Sequence, residues 1–586
     1  MSLGAAQYGP KFFGFNTPNL HLIEDAVPWV TPTSFEVNDG LISVLQAGSS
    51  VTRIYTLAIG PSRDTVHITN NPANSAFSWK PIAGTSNPTL FANEELFVAL
   101  DNVLAAAGNL GVQIIVPLID QWDWWGGVPA FASMHQVTTD EFYTDSHTSA
   151  NFFAVVEYVA KRNNTVSGIQ YRNDSAIFAW ETGNELSMGG GRVPAQWTTS
   201  LTKLLKNVLN VKQYVIDGSY SLYGWDTEVL NEPSIDGFTG HYYQLPAKFL
   251  IASSISNSVS PAGTIIFFIL SALCFILSIV FCIKPSLFRI KSDGKNLCAL
   301  LGSVKGPSNQ GKFDMALVSA KKRAIAICSL LVFGFIAFFA LASVFIWLGL
   351  FRVKYADRFN VDHDLIVKQY KKLFYVGEFG LSSLSDYQNL LAAVNASQAL
   401  GALVWSLRFH SRNGGFWNHD EGGGVQSFHL PGFAVNRTTA VGIASTGFGD
   451  DELAVVDLMK SYAAGNGASK SSQYYQKPPV GDPILFPPNV TKSIINGEAV
   501  AFVSLTWRGS TGARSYIIER AVSDPSIIEI PSNETNFVAV YSGVVDAVAS
   551  GQTMLVDQVR AVPFSYRVRG LNEYGYGPYS SVVTAF

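Results

Sequence analysis

Residues 176–185 read AIFAWETGNE, an apolar run that closes on two carboxylates, Glu181 and Glu185. An unbroken apolar run of this length is the mark of a strand buried on both faces. Side chains alternate along a strand, so the two glutamates share a face only if it stays regular through Thr182 and Gly183. Runs of the same type recur at KFFGFNT (11–17), VTRIYTLAI (51–59), GVQIIVPLI (111–119), QYVIDGS (213–219), DGFTGHYY (236–243), LFYVGEFG (373–380) and GALVWSLR (401–408). Helical patterns fall between them, as at 91–110 and 151–163. Buried strands alternating with helices imply an α/β fold, a closed (β/α)8 barrel, with reactive groups at the carboxyl ends of the strands.

A chain of 586 residues is too long for one ordinary domain, so two or three are expected. Net charge −4 with only 14% charged residues gives no reason to expect nucleic acid. Aromatic residues at 13% suit stacking on sugar rings or, more commonly, large β-rich cores, so composition does not choose. All four cysteines (Cys274, Cys282, Cys298 and Cys328) fall in one stretch, which leaves the rest without a disulfide framework. No cluster has metal-ligand spacing, and neither a metal nor a cofactor is expected.

Residues 261–283 and 324–351 carry no charge, and each exceeds the ~20 apolar residues that cross a bilayer. They read as a two-helix transmembrane hairpin, 250–353, around a basic loop, 284–323, placed in the cytosol by its lysines and arginines. The lipid bilayer is then a partner, and the flanking parts lie together outside a membrane, most simply the plasma membrane. Six glycosylation sequons (Asn163, Asn173, Asn395, Asn436, Asn489 and Asn533) avoid 250–350, in agreement. The opening MSLGAAQYGPKFFGF has no basic-then-apolar leader, so either a leader is missing or the first span carries 260 residues across.

The expected layout is a first barrel part over 1–249, the hairpin over 250–353, the rest of the barrel over 354–475, and a tail over 487–586. The tail alternates strands with turns and reads as a β-sandwich. Trp507 and the run SYRVRGLNEYGYGP around Tyr566 make it resemble a fibronectin type III module, a family of spacers and binding modules.

Glu185 has a buried strand before it, whereas Glu232 in LNEP (230–233) follows a polar stretch and reads as loop. A second carboxylate ends another buried run, Glu378 in LFYVGEFG, between glycines that permit close approach. Two carboxylates converging over a barrel mouth can cleave a glycosidic bond, one as acid and the other as nucleophile. The plainer alternative is an ion pair of one of them with Arg53, and an arginine there would also keep a nucleophile charged.

With QWDWWGGVPAF (121–131), NNTVSGIQYRNDSAIFAWETGNE (163–185), VGEFG and VWSLR, the barrel resembles glycoside hydrolase family 5, most closely its endo-β-1,4-mannanases. The resemblance implies a retaining endo-β-glycanase acting on β-1,4-mannan-type polysaccharide at the cell surface. It makes Glu185 the acid/base and Glu378 the nucleophile. Arg53 would orient the nucleophile and Asn184 would hold a sugar hydroxyl. His241 and Tyr243 would line the site, Trp405 would form the sugar platform, and Trp122 and Trp124 would add stacking. For Trp125 core and cleft stand open alike. The pattern departs where Glu181-Thr182-Gly183 precedes Asn184 and where Leu186-Ser187 follows Glu185, which bears on sugar preference more than on reaction. Other readings are a β-glucanase, a transglycosylase of wall glycan, or a non-catalytic glycan-binding or adhesion protein.

Overall fold

The computed structural model describes residues 11–59, 77–81, 88–243, 354–419, 427–433, 452–466, 477–522, 537–560 and 563–585. Each of the eight apolar runs contains a strand: β1 (Phe12–Phe15), β2 (Val51–Arg53), β3 (Gln113–Pro117), β4 (Ile177–Glu181), β5 (Tyr214–Asp217), β6 (Gly237–Tyr242), β7 (Leu373–Phe379) and β8 (Gly401–Val404). They form one parallel sheet in which β8 pairs with β1 and β2 ends the other edge. The remaining seam is bridged at Asn16 and Arg53, where the Thr17 N–H donates to the Arg53 carbonyl at 2.8 Å.

Burial on both faces explains the unbroken apolar runs. Inward-facing Phe12, Val51, Ile115, Ala179, Ile216, Tyr375 and Leu403 fill the barrel as one cluster. Their neighbours, among them Phe13, Ile114, Trp180, Val215 and Phe374, pack outward under the helices. Those helices are α1 (Ser34–Gln46), α2 (Glu94–Leu110), α3 (Ser146–Lys161), α4 (Ala195–Lys203), α5 (Thr227–Asn231), α6 (Tyr355–His363), α7 (Leu384–Ala396) and α8 (Glu452–Gly465). Local signals fix their ends. Thr33 and Glu36 form a capping box on α1, Asn93 caps α2, and Gly111 ends α2 in the left-handed region at φ 73°.

The chain divides into two compact units, Met1–Gln244 with Lys354–Phe586, and Leu245–Val353. The expected transmembrane hairpin is corrected here. Among the described residues no helix is long and apolar enough to cross a membrane, and residues 261–283 and 324–351 lie outside them. The longest described helix, α2, has 17 residues and carries Glu94, Glu95 and Asp101, too short and too polar for ~30 Å of hydrocarbon. With the hairpin goes the support for a bilayer partner.

The tail forms two antiparallel sheets. One orders Asn489–Ile495, Glu498–Leu505 and Leu555–Arg560, and the other runs Val538–Val544, Ser515–Val522, Phe564–Asn572 and Gly575–Tyr579, with Val583–Ala585 also paired to Phe564–Asn572. Trp507, Tyr516 and Tyr566 are fully buried in its core.

This sandwich is joined to the barrel along a buried seam. His410, beyond β8, lies 2.9 Å from Asp39 Oδ2 of α1 and 3.1 Å from Asp546 Oδ2 of the sandwich. Thr511 of the sandwich donates to the other oxygen of Asp39, and the Phe416 N–H donates to the Val548 carbonyl at 2.9 Å. Burial lowers the pKa of His410, but the charge of Asp39 and hydrogen bonds to Asp39 and Asp546 outweigh it and raise it to about 10. A histidine whose pKa rises on folding stabilises fully below its unfolded value of ~6.5, and the contribution is lost as pH climbs through the folded one.

His410→Gln should therefore cost about 3 kcal/mol at pH 7, because two buried carboxylates lose their shared cation. Urea unfolding at pH 7 and pH 10 checks it. The original chain loses stability between the two, and the gap to the variant narrows at pH 10.

Candidate active site

The carboxyl ends of β2, β4, β6 and β7 converge on one guanidinium. Arg53, the last residue of β2, is 0% exposed. Its Nε donates to Glu181 Oε2 at 2.8 Å, Nη1 to Glu378 Oε1 at 2.6 Å, and Nη2 to Asn184 Oδ1 at 2.8 Å. Glu181 also accepts from the Tyr375 hydroxyl at 2.5 Å. Burial lowers the proton affinity of Arg53, while Glu181 and Glu378 raise it further, and the group stays charged.

Neither glutamate of the expected pair reaches the site by regular strand geometry. β4 ends at Glu181, and the backbone continues irregularly, bridging Asn184 to Asp120 and Leu186 to Ser219. Gly183 and Gly218 let the two chains cross closely, since a Cβ on Gly218 would lie 1.8 Å from the Gly183 carbonyl oxygen. Glu185 follows in the left-handed region at φ 53°, which swings it inward. On β7 the pairing shifts between Gly240 and His241, and again opposite Ala402 and Val404. This bulge at Gly377 admits an extra residue and turns Glu378 into the barrel mouth.

The two carboxylates then meet across His241, with one atom from each of Glu185, His241 and Glu378 within 4.8 Å of the others. His241 Nδ1 is 3.0 Å from Glu185 Oε1 and 3.5 Å from Glu378 Oε2. Tyr243 donates its hydroxyl to Glu378 Oε2 at 2.7 Å, and the Trp122 indole donates to Glu185 Oε2 at 2.8 Å. All four carboxylate oxygens thus face an N–H or O–H, and a fixed arginine stands beside them. A metal cation would have to displace these donors, so the donor set fits a reacting acid pair better than an ion.

Burial pushes the Glu378 carboxyl above its usual range, with the positive charges of His241 and Arg53 pulling against it and Glu185 adding to it. His241 loses proton affinity by burial but gains more from the charge of Glu378 and the hydrogen bond to Glu185, for a net rise. Beneath Glu185, Asp120 accepts from Asn184 Nδ2 at 3.0 Å and from the Tyr55 hydroxyl at 2.7 Å. Its burial raises it to about 7.

The aromatic expectations divide. Trp405 is buried near Tyr55, with ring centroids 5.8 Å apart, and Trp122 stands half exposed above Glu185. Trp124 and Trp125 both donate to Glu24 Oε2, at 2.6 and 2.8 Å, and Trp125 is fully buried, so Trp125 belongs to the core. Trp124 is anchored to Glu24 by this hydrogen bond. Glu24 and Asp25 in turn hold Arg408 at 3.0 and 2.6 Å, three residues past Trp405. Glu232 ends α5 with an ion pair to Lys203 at 3.0 Å and lies outside the cluster.

Sequence reasoning gave no role to Glu181, Tyr375, Asp120 and Tyr55. The signal for Glu181 was present: it closes AIFAWE as the last strand residue, where a barrel carries its mouth-facing groups.

A parallel barrel with two carboxylates and an arginine gathered at the strands' carboxyl ends has the architecture of a glycosidase. Sequence comparison leads to the same class. Residues 68–264 match a family described as GH family 5 beta-mannosidase-like. Mannan endo-1,4-beta-mannosidase 1 of Oryza sativa subsp. japonica is 32% identical over 125 residues, 20% of this chain and 29% of that protein. Probable mannan endo-1,4-beta-mannosidase F of Aspergillus oryzae is 28% identical over 184 residues, 30% of this chain and 36% of that protein. An endo-beta-1,4-mannanase structure from Thermotoga petrophila aligns with TM-score 0.47 and 14% identity over 99% of this chain and 98% of that one. The chain is related to the family 5 glycoside hydrolases of β-mannosidase type, and it spans about a third of the length of the curated relatives it matches. The match includes Asn184, Glu185, His241 and Tyr243. Arg53, Glu378 and Trp405 lie outside it and join them through the fold.

Gly377→Ala tests the bulge. A Cβ there would lie 2.2 Å from Thr239 Oγ1 and 2.9 Å from His241 Nε2, so β7 must shift and carry Glu378 with it. Overpacking of this kind costs about 1–3 kcal/mol. Thermal unfolding should show a lower midpoint, and a midpoint equal to that of the original chain would count against the bulge.

Proposed function

We propose that the chain is a retaining endo-β-glycanase of mannanase type, with Glu185 as acid/base and Glu378 as nucleophile. The observation that carries this reading is the approach of the two carboxylates to within 4.8 Å, with Glu378 tied to buried Arg53. Retaining glycosidases set their carboxyl groups ~5–5.5 Å apart, too close for an intervening water, so the second carboxylate attacks directly. The matched relatives carry the name mannan endo-1,4-beta-mannosidase, which supports β-1,4-mannan as the substrate.

In the first step Glu185 gives its proton to the glycosidic oxygen while Glu378 attacks the anomeric carbon. The bond to the leaving sugar breaks and a glycosyl ester forms on Glu378. In the second, Glu185 takes a proton from water, whose oxygen displaces Glu378 and restores the starting configuration. Arg53 and Tyr243 keep the nucleophile charged and aimed. Asn184 has its carbonyl committed to Arg53 and one amide hydrogen to Asp120, which leaves its second hydrogen for a sugar hydroxyl. Trp405 supplies an apolar wall beneath the sugar.

A non-catalytic adhesion protein has no use for this set of donors, each fixed on a buried carboxylate. In the tail, the antiparallel sheets of three and five strands support the fibronectin type III-like reading, and the seam at His410 makes it part of the barrel's frame.

Glu378→Ala in the full chain should lower hydrolysis of dyed galactomannan by at least about a thousandfold, while cellulose and mixed β-glucan define the sugar preference. Proton NMR of the first product should show retained configuration. An inverted product, or equal rates in both proteins, would remove Glu378 as nucleophile.

Tyr243→Phe removes a donor that favours ionised Glu378, so the carboxyl should gain proton affinity. The acidic limb of kcat/KM should then move to higher pH, with a larger loss at pH 5 than at pH 8. An unmoved limb would separate Tyr243 from the nucleophile.

A further inference from the structure

Trp122 stands in the loop after β3 with half of its surface in solvent, 50% exposed. Its ring nitrogen is nevertheless committed to protein, donating to Glu185 Oε2 at 2.8 Å. The other oxygen, Oε1, faces Nδ1 of His241 at 3.0 Å, and that histidine is only 4% exposed. The two oxygens of one carboxylate are therefore unlike. Oε1 faces a buried histidine, and Oε2 faces the ring nitrogen of a half-exposed tryptophan. An indole nitrogen can only donate, so the polarity of the Trp122 contact is fixed whatever the protonation of its neighbours.

We infer that Trp122 is a positioning residue for the proton donor: its N–H selects Oε2 as the oxygen that protonates the leaving sugar and holds the charge left there. The inference rests on the reading of Glu185 as acid. In the step concerned, the O–H bond at Oε2 breaks and its proton joins the glycosidic oxygen. The carbon–oxygen bond pair moves to that oxygen, and Glu378 supplies the pair for the new bond at the anomeric carbon. The negative charge that began on Glu378 finishes on Glu185, where the indole N–H already points. A donor aimed at charge that develops during the reaction accelerates it, since no rearrangement is needed to meet that charge. His241 plays the matching part at Oε1 from the buried side.

A tryptophan serving only as a sugar platform would behave differently, and Trp122→Phe separates the two because it keeps a ring and removes the donor. The full chain and this variant are compared on aryl β-mannobiosides whose leaving groups range from phenol to 2,4-dinitrophenol. Dinitrophenolate departs without protonation, whereas phenol requires it. The expected result is a kcat/KM about tenfold lower on the phenyl substrate and within about twofold of the original on the dinitrophenyl one. Equal losses along the series, or none, would overturn the assignment.

Glu185→Ala is run on the same series. A loss that steepens toward phenol supports Glu185 as the acid, and a flat loss removes that reading itself. A steep series for Glu185→Ala beside a flat one for Trp122→Phe removes only the role of Trp122.

Discussion

The site depends on one positive charge held away from water. Arg53 contributes its guanidinium to Glu181, Glu378 and Asn184 at once, so groups from β2, β4 and β7 are fixed by one rigid fork. Such a charge is costly to bury alone, and two carboxylates make it tenable. Glu181 thereby has a purpose that needs no contact with substrate. It balances the arginine, with Tyr375 closing its second oxygen, so that Glu378 is held by one bond to Arg53 and one to Tyr243. Replacing any member leaves a buried charge with too few partners.

Around that centre the backbone departs from regular strand geometry where reactive groups must appear. The crossing at Gly183 and Gly218, the left-handed Glu185 and the bulge at Gly377 each interrupt a ladder that is otherwise parallel and in register. A regular strand would have sent alternate residues to opposite faces and left one of the glutamates among the helices. Two of these three, the crossing and the bulge, depend on glycine, the residue able to surrender its side chain where two backbones press together.

The barrel was legible because strands buried on both faces leave runs such as GVQIIVPLI and AIFAWE that little else produces. Glu185 and Glu378 were legible because each follows such a run. Their partners were harder. Glu181 and Tyr375 look like strand residues of no special kind until Arg53 is placed between the strands, and their contacts span separations of 128 (Arg53 to Glu181) and 194 (Glu181 to Tyr375) residues. Trp125 stood open between core and cleft because Glu24, which anchors it, lies 101 residues away. The membrane hairpin was expected from apolar runs, a basic loop and the placing of sequons, and no described helix is long and apolar enough to match it. The sandwich was legible as strands, but not its attachment, because Asp39, His410 and Asp546 carry no local pattern.

That attachment has a consequence for how the chain is made. The chain reaches Asp546 more than five hundred residues after Asp39, so the segment beyond β8 finds this brace only once the sandwich has been made. Contacts so distant in sequence form late and slowly. A nascent barrel therefore waits for the sandwich to emerge, with Asp39 and His410 lacking their partners Thr511 and Asp546. A chain cut between barrel and sandwich would leave His410 with one of its two carboxylates, so the brace exists only where both modules are present.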